Sequence, residues 1–319
     1  MTQPLRTSLA AALLAALFAG PASAAFSNAY FFGDSLSDTG NVFAATKGAV
    51  PASPYFYGRF SDGPVWVEYL AASIGHSGAS TAYLLGGNNY AWGNARTLGG
   101  TQVPSLLDQV GSFTGALAPV DPNALYVVVA GGNDMRDARS GSTTDINMAA
   151  TAATNNLKTA INLLAADGAK YMLVSNLPNL GWTPEAALLG LTTASSQATD
   201  AFNALMPGVV SYGQSLGVTM SFLDLDGLTT AVRNDALNNG GAVYGITNAT
   251  TPCGSFDYAP ANTLCSASMF SDALHPSAVS HKLIGAAAIA AVPEPETYGL
   301  MALGLGVIGV MARRRRPAA

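Results

Sequence analysis

The chain is predicted to fold as an α/β protein built on a doubly wound, mainly parallel sheet. Continuous apolar runs rich in β-branched residues recur along the sequence, and turn residues such as Gly131 and Gly132 end them. Stretches of helical composition separate these runs. Apolar runs without polar alternation are typical of strands buried on both faces, and strands separated by helices indicate βαβ units.

Each predicted element follows from one of these patterns. The apolar runs predict strands at residues 29–32, 124–130, 170–175 and 218–223. The stretches between them predict helices at about residues 105–113, 147–167 and 195–216, with a last helix after Pro276. Two segments are less regular. Residues 38–89 are expected to form loops and short helices over the site, and residues 238–271 another long loop; long loops in compact domains often cover a functional site.

The first 24 residues have the parts of a secretory signal peptide. Arg6 supplies the positive charge, residues 9–20 form an apolar run, and Ala22-Ser23-Ala24 offers a small-residue cleavage site. The apolar run is too short to span a bilayer comfortably. We therefore expect the folded body to be one domain over residues 25–291.

Residues 292–319 form a tail of different composition. The segment Val292-Pro293-Glu294-Pro295-Glu296 ends the preceding helix, and an uncharged stretch at residues 298–312 is followed by four arginines at residues 313–316. A helix of that length covers roughly 22 Å, so it spans a hydrocarbon core only if flanking residues contribute. The arginines would stay on the cytoplasmic side and leave the body outside. An amphipathic surface helix is the alternative, but no polar face interrupts the stretch.

The charge of the body argues against nucleic acid as a partner. Residues 25–291 contain nine basic and seventeen acidic residues, which leaves about eight net negative charges. No part of the body concentrates lysine and arginine into the basic stripe that a nucleic-acid-binding surface needs.

Cys253 and Cys265 are the only cysteines, and they predict a disulfide. An isolated pair in an exported domain favours a bond that closes a small loop. A two-cysteine metal site is the alternative, but no histidine of suitable spacing accompanies the pair, and His275 has a better role. We therefore predict no metal site.

Two segments far apart in the chain carry reactive side chains. Gly33-Asp34-Ser35-Leu36 follows the first predicted strand, and Asp272-Ala273-Leu274-His275 precedes the last predicted helix. A serine hydroxyl becomes nucleophilic when a base takes its proton, and the base needs a carboxylate to fix its tautomer. Asp272 and His275 lie three residues apart and can face one side of a turn, with Nε2 pointing toward Ser35. This set is typical of a serine hydrolase, although Ser35 could also simply cap the following helix.

Five segments in a fixed order resemble the GDSL esterases and lipases of the SGNH-hydrolase superfamily. They are residues 32–41 (FGDSLSDTGN), 58–70 (GRFSDGPVWVEYL), 89–93 (NYAWG), 131–134 (GGND) and 272–276 (DALHP). Each motif alone is weak, but five of them in family order are specific.

The resemblance implies a three-layer α/β/α fold and hydrolysis of carboxylic esters through an acyl-enzyme, without a cofactor. It assigns Ser35 as the nucleophile, His275 as the base and Asp272 as the residue that orients the base. The N–H groups of Ser35 and Gly93 and the side-chain amide of Asn133 would be the oxyanion donors. Each such donor is worth roughly 10²–10³ in rate.

One position departs from the family pattern, and one assignment has a second interpretation. Asn94 stands where the family commonly has another small residue after the glycine. Asn133 follows the predicted strand at 124–130, so it reaches the same edge of the sheet as Ser35. An asparagine there could also serve only to brace a turn.

The tail resembles a PEP-CTERM sorting signal. Its Pro/Glu segment, apolar stretch and arginine cluster occur in that order within the last 28 residues. The resemblance implies processing by an exosortase-type enzyme in an exopolysaccharide-producing Gram-negative bacterium. The protein would then cross the inner membrane and reach the cell envelope, the surface or the extracellular matrix.

Three functions are compatible with these patterns. The leading prediction is an exported esterase or lipase acting on carboxylic esters. A carbohydrate acetylesterase acting on the matrix polysaccharide would use the same chemistry. A non-catalytic surface or matrix-binding protein is a different class, and the complete set of Ser35, Asp272 and His275 argues against it.

The motifs do not select acyl length or lipid over sugar ester, and residues 42–89 and 177–195 are expected to shape the pocket.

Overall fold

A four-stranded parallel sheet lies at the centre of the structure, a computed structural model that describes residues 26–100, 102–115, 120–260 and 262–292. The strands lie side by side in chain order and are β1 Ala29–Gly33, β2 Leu125–Val129, β3 Tyr171–Ser175 and β4 Thr219–Leu223. All four predicted strands are confirmed to within a residue or two at their ends. The predicted signal peptide, and all of the predicted tail except Val292, lie outside the described residues.

Ten α-helices accompany the sheet in the described part of the chain. They are α1 Asn41–Ala45, α2 Trp66–Ser73, α3 Leu106–Thr114, α4 Gly132–Ala138, α5 Thr143–Ala166, α6 Pro184–Leu188, α7 Thr192–Asn203, α8 Met206–Ser215, α9 Leu225–Asn239 and α10 Ala278–Ala291. None of these ten has both the length and the apolar character that crossing a bilayer requires.

The two faces of the sheet pack against different helices, and this makes the fold a three-layer α/β/α sandwich. On one face, Phe32 and Val128 pack with buried residues of α3, α5, α7 and α8. On the other face, Phe31 and Val127 pack with buried residues of α2 and α10. Successive strand residues alternate between the faces because strand side chains have a period of two. Both faces are therefore covered over β1, β2 and β3, as the continuously apolar strands predict, whereas Thr219 and Phe222 of the edge strand β4 are exposed.

Local sequence signals set where several helices begin. Ser105 before α3 and Ser142 before α5 each accept the N–H of the residue three positions later, Asp108 or Asp145. The two carboxylates accept the serine N–H in return. Such capping boxes satisfy N–H groups that a helix end leaves unpaired.

Two helical regions differ from the prediction. The predicted helix at 195–216 is divided into α7 and α8. The first of these helices ends at Asn203, and Pro207 lies in the first turn of the second. The apolar pattern does not predict α9, because its buried residues include the polar Thr229 and Asp235.

Cys253 and Cys265 form a disulfide in the segment between α9 and α10, and their Cα atoms lie 4.9 Å apart. This is the pairing that the sequence favours over a two-cysteine metal site. The bond fixes a loop that carries the buried Phe256. In the chain-entropy model, a loop of this size stabilises the fold by roughly 3 kcal/mol.

Candidate active site

The carboxyl edge of the sheet carries both of the segments that follow its first two strands. Ser35 lies just after β1, and Asn133 lies in the first turn of α4, just after β2. The backbones of these neighbouring strands approach closely at Gly33, where an added Cβ would stand 2.2 Å from the carbonyl oxygen of Val129. A glycine is therefore required at the end of β1 for Ser35 to reach this position.

Ser35, His275 and Asp272 form a continuous hydrogen-bonded row. The Ser35 Oγ lies 2.9 Å from the His275 Nε2, and the His275 Nδ1 lies 2.6 Å from the Asp272 Oδ2. The histidine and aspartate side chains are only 12% and 13% exposed. The structure thus brings together the three side chains that the two distant motifs supply.

The Asp272 carboxylate also shapes the turn that carries the histidine. Its Oδ1 accepts the backbone N–H groups of Leu274 at 2.7 Å and His275 at 2.6 Å. The other oxygen, Oδ2, is left to meet the imidazole. This local folding explains why a spacing of three residues suffices for the carboxylate and the ring to pair.

Tyr55 is a third partner of the Asp272 carboxylate, and the sequence patterns do not indicate it. Its hydroxyl donates to the Asp272 Oδ2 at 2.5 Å. Its ring packs edge to face on Phe256, with the ring centroids 4.8 Å apart, and burial together with the Asp272 charge raises the pKa of Tyr55. Tyr55 lies in a loop without periodicity. The aromatic residues near it in the sequence are the one feature that could have suggested a role for this loop.

The surroundings of Asp272 keep it ionised. Burial acts to raise the pKa of Asp272, but the nearby His275 and the hydrogen bonds from His275 and Tyr55 hold that pKa well below its usual range. An ionised Asp272 requires a proton on the His275 Nδ1, so Nε2 is left as the acceptor that faces the Ser35 hydroxyl.

The side-chain amide of Asn133 is held in one orientation. Its Nδ2 donates to the Ala95 carbonyl oxygen at 2.9 Å, and its Oδ1 accepts from the Arg136 Nη1 at 3.2 Å. Arg136 is in turn paired with the Glu185 carboxylate. Ala95 accepts one Nδ2 hydrogen, and the other has no acceptor among the described residues. Asn133 also lines the space beside Ser35.

The predicted role of Gly93 does not agree with its placement. The Gly93 N–H donates to the Asp38 Oδ2 at 2.9 Å, and Gly93 is absent from the residues that line the cavities around Ser35. A glycine is needed at position 93 for a steric reason, because a Cβ there would lie 2.3 Å from the Phe60 ring. The next residue, Asn94, does line the space beside Ser35.

Asn94 adopts the left-handed conformation with φ of 69°, which asparagine tolerates better than most residues. The Arg96 Nη1 donates to the Asn94 carbonyl oxygen at 2.7 Å and to its Oδ1 at 2.8 Å, and Arg96 is itself paired with Asp137. Within the described residues, the N–H groups of Ser35 and Asn94 donate to no protein acceptor.

Two of the acidic residues around Ser35 brace local turns, and a third binds a distant segment. The Asp34 Oδ1 accepts the Leu36 N–H at 3.0 Å, and Asp38 accepts the N–H groups that begin α1. Asp134 holds the N–H and the hydroxyl of Thr97. Burial raises the pKa of Asp34 to about 6.

Two cavities meet at Ser35, Asn133 and His275. The first, which we term the apolar pocket, extends between α9, α10 and the chain after β3, and its apolar lining includes Leu177, Leu180, Leu228, Val232, Phe270 and Ile284. The second, which we term the outer cleft, lies between residues 52–60 and 255–258, and its polar lining includes Ser53, Tyr55, Asn94, Glu185, Ser255 and Asp257.

Comparison with known proteins identifies two segments of the chain. A family model described as GDSL-like lipase/acylhydrolase matches residues 30–288, and one described as a PEP-CTERM protein-sorting motif matches residues 291–316. Phosphatidylcholine-sterol acyltransferase of Aeromonas hydrophila is 29% identical over 245 residues, which cover 74% of this chain and 68% of that protein.

Two further proteins are similar over much of this chain. Esterase EstA of Pseudomonas aeruginosa is 27% identical over 245 residues, and the match spans 65% of this chain but only 37% of that protein. A crystal structure of a member of the lipolytic protein G-D-S-L family from Veillonella parvula DSM 2008 has 14% sequence identity and a TM-score of 0.45. That match covers 82% of this chain and 96% of the solved chain.

Proposed function

The chain belongs to the GDSL-like lipase/acylhydrolase family of ester-hydrolysing enzymes, and on this premise we propose that it cleaves carboxylic esters by serine catalysis. Ser35 is the proposed nucleophile, His275 the general base and Asp272 the residue that orients it. The observation that carries the proposal is the hydrogen-bonded row from the Ser35 Oγ to the Asp272 carboxylate.

The proposed reaction runs in two halves. The Ser35 Oγ forms a bond to the ester carbonyl carbon while its proton passes to the His275 Nε2, and Asp272 stabilises the resulting imidazolium. The tetrahedral intermediate collapses, the bond to the alcohol oxygen breaks, and His275 returns the proton to the departing alcohol. Water then attacks the acyl-serine by the same route, which releases the acid and restores the Ser35 hydroxyl.

The oxyanion of the tetrahedral intermediate needs donors that are already in position. We propose three donors: the Ser35 N–H, the second hydrogen of the Asn133 Nδ2, and the Asn94 N–H in place of that of Gly93. Two observations support this assignment: the Gly93 N–H is engaged by Asp38, and the Asn94 N–H donates to no acceptor in the part of the chain that the structure describes. The contacts of Arg96 with Asn94 would keep that donor in place.

A covalent probe tests the proposed nucleophile. The purified protein should hydrolyse p-nitrophenyl butyrate, and an alkyl fluorophosphonate should abolish that activity as it modifies a single serine. Peptide mass spectrometry should find the adduct on Ser35, because among the described residues this is the serine hydroxyl that contacts the His275 Nε2. An adduct on another serine that accompanies inactivation, or full activity after complete labelling of Ser35, would contradict the assignment.

We further propose that the sorting motif at residues 291–316 directs the exported protein to an exosortase-type enzyme. Ending the chain at Ala291 should leave hydrolysis of a soluble ester unchanged, since all the proposed catalytic residues precede that point. In a Gram-negative host with an exosortase, the truncated protein should be found at a different location from the full-length chain. The same host without its exosortase is the control. Equal localisation of both proteins would reject the sorting role, and loss of activity would show that the catalytic body needs the tail.

A further inference from the structure

We propose that Arg136 is a positioning residue of the oxyanion site: held by Glu185, it fixes the amide of Asn133 so that the Nδ2 group faces the substrate oxygen. The inference rests on the proposed function, because it takes the Asn133 side chain as an oxyanion donor. It adds two charged residues that lie outside the five motifs.

The side-chain amide of an asparagine can point in two directions that have nearly the same shape. One of them presents N–H groups to an oxyanion, whereas the other presents Oδ1, which repels it. The Arg136 Nη1 lies 3.2 Å from the Asn133 Oδ1, and a guanidinium can only donate. The Ala95 carbonyl oxygen, which can only accept, takes one Nδ2 hydrogen at 2.9 Å. Two partners of opposite kind therefore select the direction that an oxyanion donor needs.

The Glu185 carboxylate holds Arg136 in place. The Arg136 Nε donates to the Glu185 Oε2 at 3.0 Å, and the Arg136 Nη2 donates to the Glu185 Oε1 at 2.5 Å. Two parallel hydrogen bonds fix the plane of the guanidinium as well as its position. Burial acts to raise the pKa of Glu185, but the hydrogen bonds from Arg136 and Arg139 hold that pKa below its usual range. The carboxylate therefore stays charged and remains a strong partner.

A direct contact between Arg136 and the substrate is the competing role, because Arg136 lines both cavities. Each nitrogen of its guanidinium already has a protein partner: Nε and Nη2 contact Glu185, and Nη1 contacts Asn133. The Glu185 carboxylate also balances the positive charge. These contacts leave Arg136 better suited to holding the amide than to binding an uncharged ester.

Glu185 also connects the oxyanion donor to the turn that carries the base. Its backbone N–H donates to the Ala273 carbonyl oxygen at 2.7 Å, and Ala273 lies between Asp272 and His275. Its side chain holds Arg136 and, through it, Asn133. The donor and the base are thus held relative to one residue, and catalysis depends closely on the distance between such groups.

Arg136→Met tests the positioning role, because methionine is also unbranched and has no donor. We expect kcat for p-nitrophenyl butyrate to fall by about tenfold, less than the loss of a whole donor, since Ala95 still holds the amide. The KM should change by less than about twofold, because the ground-state ester makes little use of this donor. Glu185 keeps Arg139, whose Nη1 lies 2.9 Å from the Glu185 Oε2, so the variant should fold. Circular dichroism checks the folding.

A double-mutant cycle with Asn133→Ala separates positioning from a general structural effect. Without Asn133, Arg136→Met has no amide to release, so the further loss of kcat should be no more than about twofold. Arg139→Met is the matched control. It removes the other arginine beside Glu185, but Arg139 lines neither cavity and has no hydrogen bond with Asn133 among the described residues. This control should keep kcat close to the wild-type value.

Arg136→Lys replaces the methionine variant if that variant does not fold. Lysine keeps a charge for Glu185 but lacks the planar fork that reaches Glu185 and Asn133 together, so kcat should fall by at least about threefold. The same dependence on Asn133 is expected. If neither variant folds, Arg136 is needed for the fold itself and the positioning role is rejected.

The remaining outcomes separate this inference from the proposed function. A folded variant that keeps its kcat, a change confined to KM, or the same loss of kcat with and without Asn133 would each reject the positioning role. If Asn133→Ala keeps its kcat, the donor assignment and the role of Arg136 fail together, while labelling of Ser35 still supports serine catalysis. If Ser35 is not labelled and no ester is hydrolysed, the proposed function itself fails.

Discussion

Replacing Ser35 with alanine is expected to lower kcat for p-nitrophenyl butyrate by about 10⁴-fold or more and to leave the fold intact. The substitution removes the atom that forms the acyl-enzyme, so only the oxyanion donors and substrate binding can still act on the reaction. The Ser35 side chain is hydrogen-bonded only to His275 among the described residues, so its loss should cost little stability. Steady-state kinetics, with circular dichroism to check folding, measure both effects.

Ser37 provides a matched control two residues further along the chain. Its hydroxyl is buried and has no hydrogen-bond partner within the described residues, and it does not line either cavity. Ser37→Ala should therefore fold and keep kcat close to the wild-type value. If Ser35→Ala retained more than about a tenth of the wild-type turnover, Ser35 would not be the nucleophile.

The next largest effect is expected at Asn133. Asn133→Ala should lower kcat by roughly 10²–10³, because an oxyanion donor acts mainly on the transition state. The KM should change by no more than about threefold, since the ground-state ester makes little use of this donor. Initial rates over a range of p-nitrophenyl butyrate concentrations separate the two constants.

Asn133→Asp makes the test sharper. Aspartate keeps the shape of the side chain and an oxygen for Arg136, but it has no N–H to offer an oxyanion. It also loses the hydrogen bond to the Ala95 carbonyl oxygen, so circular dichroism must accompany the kinetics. The folded variant should lose at least as much kcat as the alanine variant. A change confined to KM in both variants would assign Asn133 to substrate binding, and unfolding of both would favour the turn-bracing role.

The sequence predicts the parts of the site that depend on local patterns. Ser35 and Asn133 each follow an apolar run, and parallel strands bring such positions to one edge of a sheet. Asp272 and His275 belong to one turn, so their pairing needs no information from distant segments. For these residues the periodicity of the chain and the chemistry of the side chains are sufficient.

Other parts depend on contacts between distant segments, which a single sequence does not encode in a readable pattern. Tyr55 and Asp272 are 217 residues apart, and no periodicity marks the loop in which Tyr55 lies. The choice between Gly93 and Asn94 depends on which N–H the Asp38 carboxylate engages. The apolar pocket likewise exists because three hydrophobic clusters fail to fill the space between them. Each of these features is a property of tertiary packing.

The hydrogen bond from Tyr55 to Asp272 links the shape of the outer cleft to the carboxylate that orients His275. The loop that bears Tyr55 forms one wall of that cleft, and Phe256 in the disulfide-closed loop supports its ring. A bulky alcohol that pushes this wall outward would take the hydroxyl away from the carboxylate that steadies His275. Such an ester would be bound but turned over slowly, so the enzyme would discriminate against large alcohols during the chemical step rather than at entry.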